Sequence, residues 1–201
     1  MAITVLKDPM IFKIDTGNAS YVMAVMGQGH LIHLYYGAAI DGARVEYLAA
    51  ERGRASFWAI PAGDEDSFST DVMPMEYAGQ GTADLRPAAV ATVDADGDNV
   101  TDLRYFGYEI LEGKPDNPGL PHTYLNQGDG AQTLKITLRD AVKDLYVDLY
   151  YTAFDFSGAI ARWTVVRNAG AQAVDLTRVM SASLQFPGKD YDLIHLHGAW
   201  A

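Results

Sequence analysis

The chain contains no cysteine, which excludes a disulfide framework and thiolate metal sites and fits a reducing, cytoplasmic setting. No stretch approaches the run of about 18 apolar residues that spans a membrane. The N-terminal "MAITVLKDPMIFKID" lacks a basic region followed by a long apolar stretch and a small-residue cleavage site, so no signal peptide is read. Cations are scarce: 15 Lys and Arg stand against 26 Asp and Glu, a formal net charge of -11. Such a surface repels phosphate backbones and argues against nucleic-acid binding; its simplest role is solubility. Also missing are a capped helical stripe a dozen residues long, an internal repeat and a low-complexity linker. There is no nucleophile elbow, phosphate-cradling glycine loop or dinucleotide fingerprint. The expectation is a soluble cytoplasmic protein with neither membrane nor nucleic acid as partner.

What the sequence does have is β signal. With 49% hydrophobic and 20% charged residues over 201 positions, a sizeable core in one domain is expected. "LKITL" (134–138) alternates, placing Leu134, Ile136 and Leu138 on one face. In "LYVDLYYTAF" (145–154), Leu145, Val147, Leu149, Tyr151 and Ala153 face one way, and Tyr146, Asp148, Tyr150 and Thr152 the other. Met180, Ala182, Leu184 and Phe186 form another period-2 set, and a β-bulge is expected at Thr177-Arg178, between that set and the earlier Val174 and Leu176. Further strand-like runs lie at 10–14, 20–26, 30–36, 88–93, 103–110 and 159–167, and Tyr191 to Leu196 has the apolar density of a buried strand. Turn residues separate them at short intervals. The fold class read from this pattern is all-β, a large antiparallel β-sandwich. From about Ala49 to Pro87 periodicity fades, and a loop of that length is a functional hint or a poorly ordered segment.

Few residues form a constellation with chemistry. Asp94, Asp96 and Asp98 in "DADGDNVTD" are spaced like hard-cation ligands, but an EF-hand loop has glycine sixth and glutamate twelfth, where this chain has Asn99 and Tyr105. Asp96-Gly97 is the stronger signal, for a hairpin turn. Gly27-Gln28-Gly29 lies between two strand runs and reads as a hairpin loop. His195 and His197, two apart on a strand, would share a face, while His30 and His33 would face opposite ways; His122 sits in a proline-flanked loop. These histidines are read as packing or surface residues, with no metal site and no cofactor. Carboxylates are numerous, but no acid/base pair is identifiable from spacing.

Several longer motifs follow one another in order: "SYVMAVMGQGHLIHLYYG" (20–37), "EYAGQGTADLRPAA" (76–89), "VTDLRYFGYEILEGKPDNPGLPHTYL" (100–125), "TLKITLRD" (133–140) and "MSASLQFPGKDYDLIHLHGAWA" (180–201). Together they resemble the N-terminal β-sandwich domain of the α-galactosidases of glycoside hydrolase family 36, from about Phe12 to Ala201. The resemblance implies a supersandwich of the galactose-mutarotase type, incomplete on its C-terminal side within residues 1–201. It also implies a downstream (β/α)8 barrel that supplies both catalytic aspartates of a retaining mechanism, with carboxyls about 5–5.5 Å apart. No catalytic residue is then expected in this chain, which alone should be inactive. In the family the tryptophan of "GAW" precedes "RER"-type residues and reaches the galactose pocket, so Trp200 is the substrate-binding candidate. A sugar's C–H face stacks on an indole, whose N–H can serve a hydroxyl; by residue type alone a packed core tryptophan is the commoner role.

The implied partners are α-galactosides of the melibiose and raffinose type and further copies of the chain in a homo-oligomer. "AAERGRASFW" (49–58), where the family's long loop contributes contacts, departs from the usual acidic-Arg-Ala order, with Gly53 before Arg54-Ala55 and Glu51 two positions earlier. Ala78 stands where proline is common. Trp58 has no motif support, and Trp163 reads as core or interface. The alternative to the galactosidase reading is a stand-alone carbohydrate-binding or assembly module.

Overall fold

The computed structural model describes residues 2–40, 44–50, 68–82, 84–119, 121–155, 157–185, 190–192, 194–196 and 198. Ten strands run in chain order: β1 (Ala2–Lys7), β2 (Met10–Asp15), β3 (Ala19–Met26), β4 (His30–Ala38), β5 (Val90–Asp94), β6 (Arg104–Glu112), β7 (Ala131–Asp140), β8 (Leu145–Phe154), β9 (Ile160–Asn168) and β10 (Val174–Val179). Among the described residues the only helical element is a 3-10 turn at Glu46–Leu48, and no helix is long and apolar enough to cross a membrane. β1 to β4 form one sheet in sequence order, β6 to β9 a second, and β5 pairs with β10. All these pairings are antiparallel. The fold is an all-β antiparallel sandwich.

Alternation decides which face each strand buries. Phe12 and Ile14 of β2, Tyr21 and Met23 of β3 and Leu31 of β4 meet Leu134, Ile136 and Leu138 of β7 and Val147, Leu149 and Tyr151 of β8 in one core cluster between the sheets. Removing such faces from water supplies the main drive for folding, about 25 cal/mol per Å2 of apolar area. The first sheet is also covered on its outer face. Ile11, Val22 and Ala24 pack with Val45, and Ile32 packs with Phe68, Met73 and Met75. β2 and β3 therefore carry apolar residues on both faces instead of alternating strictly, as strands covered on both sides do. The β3–β4 connection is the hairpin expected at Gly27 to Gly29: Met26 pairs with His30, and the two glycines take φ of 55° and 94°, a region other residues reach only at a cost.

The bulge expected at Thr177-Arg178 is present, since the β10–β5 register shifts between Leu176 and Arg178. Four expectations need correction. β1 went unread, although Ile3 to Lys7 pairs along β2 in full register. Met180, Ala182 and Leu184 do not continue a strand, because β10 stops at Val179; Phe186 lies outside the described residues. Of the stretch read as a buried strand at Tyr191 to Leu196, the described residues are neither strand nor buried, with Ile194 86% and Leu196 94% exposed. Apolar density marks a segment that profits from burial, but burial needs a partner face, and no described element supplies one. Asp96-Gly97 does form a turn, in which the Asp94 carboxylate accepts the backbone N–H groups of Asp96 and Asp98 at 3.0 and 2.9 Å. It is not a strand hairpin, because β5 pairs with β10 and β6 with β7.

Candidate functional site

Trp200, the substrate-binding candidate, lies outside the described residues, as do Glu51, Arg54, Ala55, Trp58 and His197. The chain that leads towards Trp200 is described without a break as far as residue 185, and up to there it is anchored firmly. Met180 donates its N–H to the Ala89 carbonyl at 2.9 Å and receives the Tyr77 hydroxyl on its own carbonyl at 2.7 Å. Gln185 accepts a 2.6 Å bond from Arg86. The same guanidinium pairs with Asp84 and donates to the carbonyls of Thr70 and Met73 at 2.7 and 2.6 Å. One arginine thus ties the 68–82 segment and the 180–185 segment together. The stretch read as a possible disordered loop is, over residues 68–82, a packed part of the core.

That segment also carries the most concentrated charge in the interior. Residues 74–76 lie along β4, with the His33 N–H on the Pro74 carbonyl at 2.7 Å and the Glu76 N–H on the Leu31 carbonyl at 2.9 Å. This pairing aims the Glu76 side chain between the two sheets, where it is fully buried. The Tyr21 hydroxyl lies 2.7 and 2.8 Å from its two oxygens, and the Tyr151 hydroxyl donates at 2.8 Å. His33 approaches through Nδ1 at 3.0 Å, which fixes its proton on that nitrogen. Arg162 of β9 closes the ion pair at 2.8 Å and reaches both tyrosine hydroxyls at 3.2 Å. Burial alone would push the Glu76 carboxyl up, but the Arg162 guanidinium, then the bonds from His33 and Tyr21, outweigh it and hold the group below the ordinary carboxylate range. Burial, reinforced by the Glu76 charge, raises both Tyr21 and Tyr151, and Arg162 stays charged.

Chemically this network is closed. Four side chains occupy the Glu76 oxygens, so the carboxylate has no lone pair aimed at a substrate and no route to act as a nucleophile or general base. It joins β3, β4, β8, β9 and the 68–82 segment across the sandwich. Nothing in spacing announces it, since Arg162 and Tyr21 are 141 residues apart. The only local hints are a charged residue, Arg162, inside an apolar strand and a tyrosine, Tyr151, on the inward face. The other expected candidates disperse. His30 stacks on Phe68 at 4.9 Å and 11°, on the opposite side of β4 from His33. His122 pairs with Asp116 at 3.1 Å, and His195 is exposed. Trp163 is not a core residue: it stands half-buried on the outer face of the second sheet, stacked on Tyr150. Among the described residues no three His, Asp or Glu side chains gather to hold a metal ion.

Residues 29–201 match the family described as the glycosyl hydrolase family 36 N-terminal domain. The chain belongs to that family. Alpha-galactosidase AgaA of Geobacillus stearothermophilus is 40% identical over 189 residues, covering 94% of this chain and 26% of the relative. The crystal structure of the GH36 alpha-galactosidase AgaB from the same organism superposes with a TM-score of 0.89 at 40% identity, over 100% of this chain and 27% of that one. A substituted AgaA solved in complex with raffinose superposes with a TM-score of 0.85 at 39% identity, over 94% of this chain and 26% of its own. This family 36 domain thus spans about a quarter of the length of the relatives it matches. Of the buried network, His33, Glu76, Tyr151 and Arg162 lie within the matched span, and Tyr21 precedes it.

Proposed function

We propose that residues 1–201 are the non-catalytic N-terminal domain of an α-galactosidase that removes terminal α-galactosyl units from melibiose- and raffinose-type sugars by a retaining mechanism. The observation that carries this reading is the match to the family 36 N-terminal domain over residues 29–201. The substrate class is supported by the raffinose complex of a relative 39% identical to this chain. Both catalytic carboxylates belong to a (β/α)8 barrel following this domain, so residues 1–201 alone do not turn over substrate. A fully occupied Glu76 is consistent with that division of labour.

In this reading Trp200 presents its indole to the C–H face of galactose at the rim of the pocket, and the Arg86–Gln185 and Tyr77–Met180 bonds fix the start of the segment that leads to it. The domain also supports a homo-oligomer; exposed Val165, Leu176 and Val179 on β9 and β10 offer apolar contact surface. The absence of cysteine favours a cytoplasmic setting. The test is raffinose hydrolysis by the product of the complete reading frame with Trp200→Ala beside the parent. A fall in kcat/KM of about tenfold or more, chiefly through KM, is expected for a lost sugar contact. Unchanged kcat and KM would remove Trp200 from the pocket.

A further inference from the structure

Two clefts on the described surface carry no charged side chain, which sets them apart in a chain of net charge -11. Two further clefts are charged, one holding Asp94, Lys143 and Asp144 and the other Asp84, Arg86 and Arg178. Both uncharged clefts are built on the turn between β8 and β9. Gly158 lines the first, and Ser157 and Ala159 line the second.

The first cleft, about 440 Å3, sets Asn18, Tyr36 and Tyr191 around Gly37 and Ala38. Tyr36 is 42% and Tyr191 61% exposed, so each keeps ring surface open to solvent. Tyr36 is braced by Tyr21, with ring centroids 5.5 Å apart, and Tyr21 is held by Glu76. The wall is therefore positioned by the buried network. A side chain at Gly158 would collide with the Asn18 amide, so glycine there lets the amide sit against the turn. The second cleft, about 320 Å3, is lined by Tyr124, 73% exposed, and buried Phe154 together with Thr123, Asn126 and Ser157. Asn126 is fixed by bonds from its backbone N–H and Nδ2 to Asp129, both 3.0 Å.

Each cleft thus combines exposed tyrosine with amide or hydroxyl groups and lacks charge, in volumes at the lower end of the roughly 300–1,000 Å3 of ligand pockets. An aromatic face suits the apolar C–H face of a sugar, and amides and hydroxyls suit its O–H groups. A phosphate, carboxylate or ammonium ligand would find no counter-charge among the described lining residues. We infer that the end of the sandwich around the β8–β9 turn binds a neutral oligosaccharide, with sugar units seated on both sides of the turn. The inference is argued from residues other than Trp200, so its test stands apart from that of the galactosidase reading.

The test is a titration of the 201-residue chain with galactose and with raffinose, followed by backbone amide chemical shifts. Open clefts leave one sugar face in water, so a Kd on the order of millimolar is expected. Raffinose should bind more tightly than galactose and shift amides at 36–38, 123–126 and 157–159. Tyr124→Ala, at a highly exposed position that leaves the core intact, should weaken binding about tenfold; Tyr36→Ala should do the same, while Trp200→Ala leaves it unchanged. Absence of saturable shifts, shifts confined elsewhere, or parental affinity in both tyrosine variants would overturn the inference. Loss in Trp200→Ala alone would also overturn it and would credit the sugar contact to Trp200.

Discussion

The interior and the outer face of the second sheet use the same side chains to opposite ends. Inside, Glu76, Arg162, Tyr21, Tyr151 and His33 satisfy one another where water does not reach. Outside, Arg139 lies over Phe106 at 5.8 Å and Tyr146 at 5.3 Å, and Arg167 over Tyr146 at 5.0 Å. Lys114 caps Trp163 at 4.8 Å, Trp163 stacks on Tyr150 at 4.7 Å and 8°, and Lys135 pairs with Glu109 at 3.0 Å. These outer contacts cover apolar rings with charged groups that keep access to water, so each replaces a hydration shell of nearly equal worth. A buried charge has no such alternative, and losing its partner exposes the full desolvation cost. The difference lies in solvent, not in residue type. Asp148 sits between the extremes: its carboxylate is buried, while its partner Arg167 is half exposed.

Removing the cation from the interior pair should give the largest effect. Arg162→Met leaves Glu76 charged and uncompensated, and urea unfolding should show a loss of about 3–5 kcal/mol. The double variant Glu76→Leu/Arg162→Met should recover most of that loss, because no orphan charge remains; a double variant as unstable as the single would break the contrast. Next comes the half-shielded pair. Burial would raise Asp148, but bonds from Arg167 and Thr137 hold it low, and Arg167→Ala should cost about 1–2 kcal/mol in the same assay. Trp163→Ala, which removes the outer stack, should cost about 1 kcal/mol. Lys135→Ala, at an exposed ion pair, should cost less than about 1 kcal/mol and fade in high salt.

The pH dependence sharpens the same comparison. Glu76 is held low in the fold, so its contribution is present above the usual carboxylate range and is lost as pH falls through its folded value. Tyr21 and Tyr151 are held high, so they stay neutral in the fold while the unfolded chain ionises. Their contribution is complete below the ordinary tyrosine value of about 10 and is lost as pH rises beyond it. Thermal unfolding should therefore show Tm falling above pH about 10, more steeply than in Tyr151→Phe, which lacks one of the two ionising groups. Equal slopes in the two proteins would contradict a Tyr151 pKa raised by the fold.

Strands whose alternation met a real partner face were legible in the sequence. β7 and β8 are the clearest. The expected bulge of β10 is present between Leu176 and Arg178, but the apolar spacing did not locate it, because Val174, Leu176 and Met180 share one period-2 phase. The same rule misled at Met180 to Leu184, where apolar spacing is satisfied by single anchors such as Tyr77 on Met180 rather than by a ladder. The segment at 68–82 looked irregular because it packs through isolated bridges at Met75 and Gly79, which impose no period. The Glu76 network was invisible for a different reason: its members come from five stretches of chain, and each residue taken alone has an ordinary explanation. Family motifs pointed to Trp200, which residue chemistry alone would have placed in a core.

The most direct test of the functional account compares two proteins on one chromogenic α-galactoside: residues 1–201 alone and the product of the complete reading frame. The account predicts turnover by the complete protein and none above background by residues 1–201. Hydrolysis by the 201-residue chain, or none by the complete protein, would contradict it.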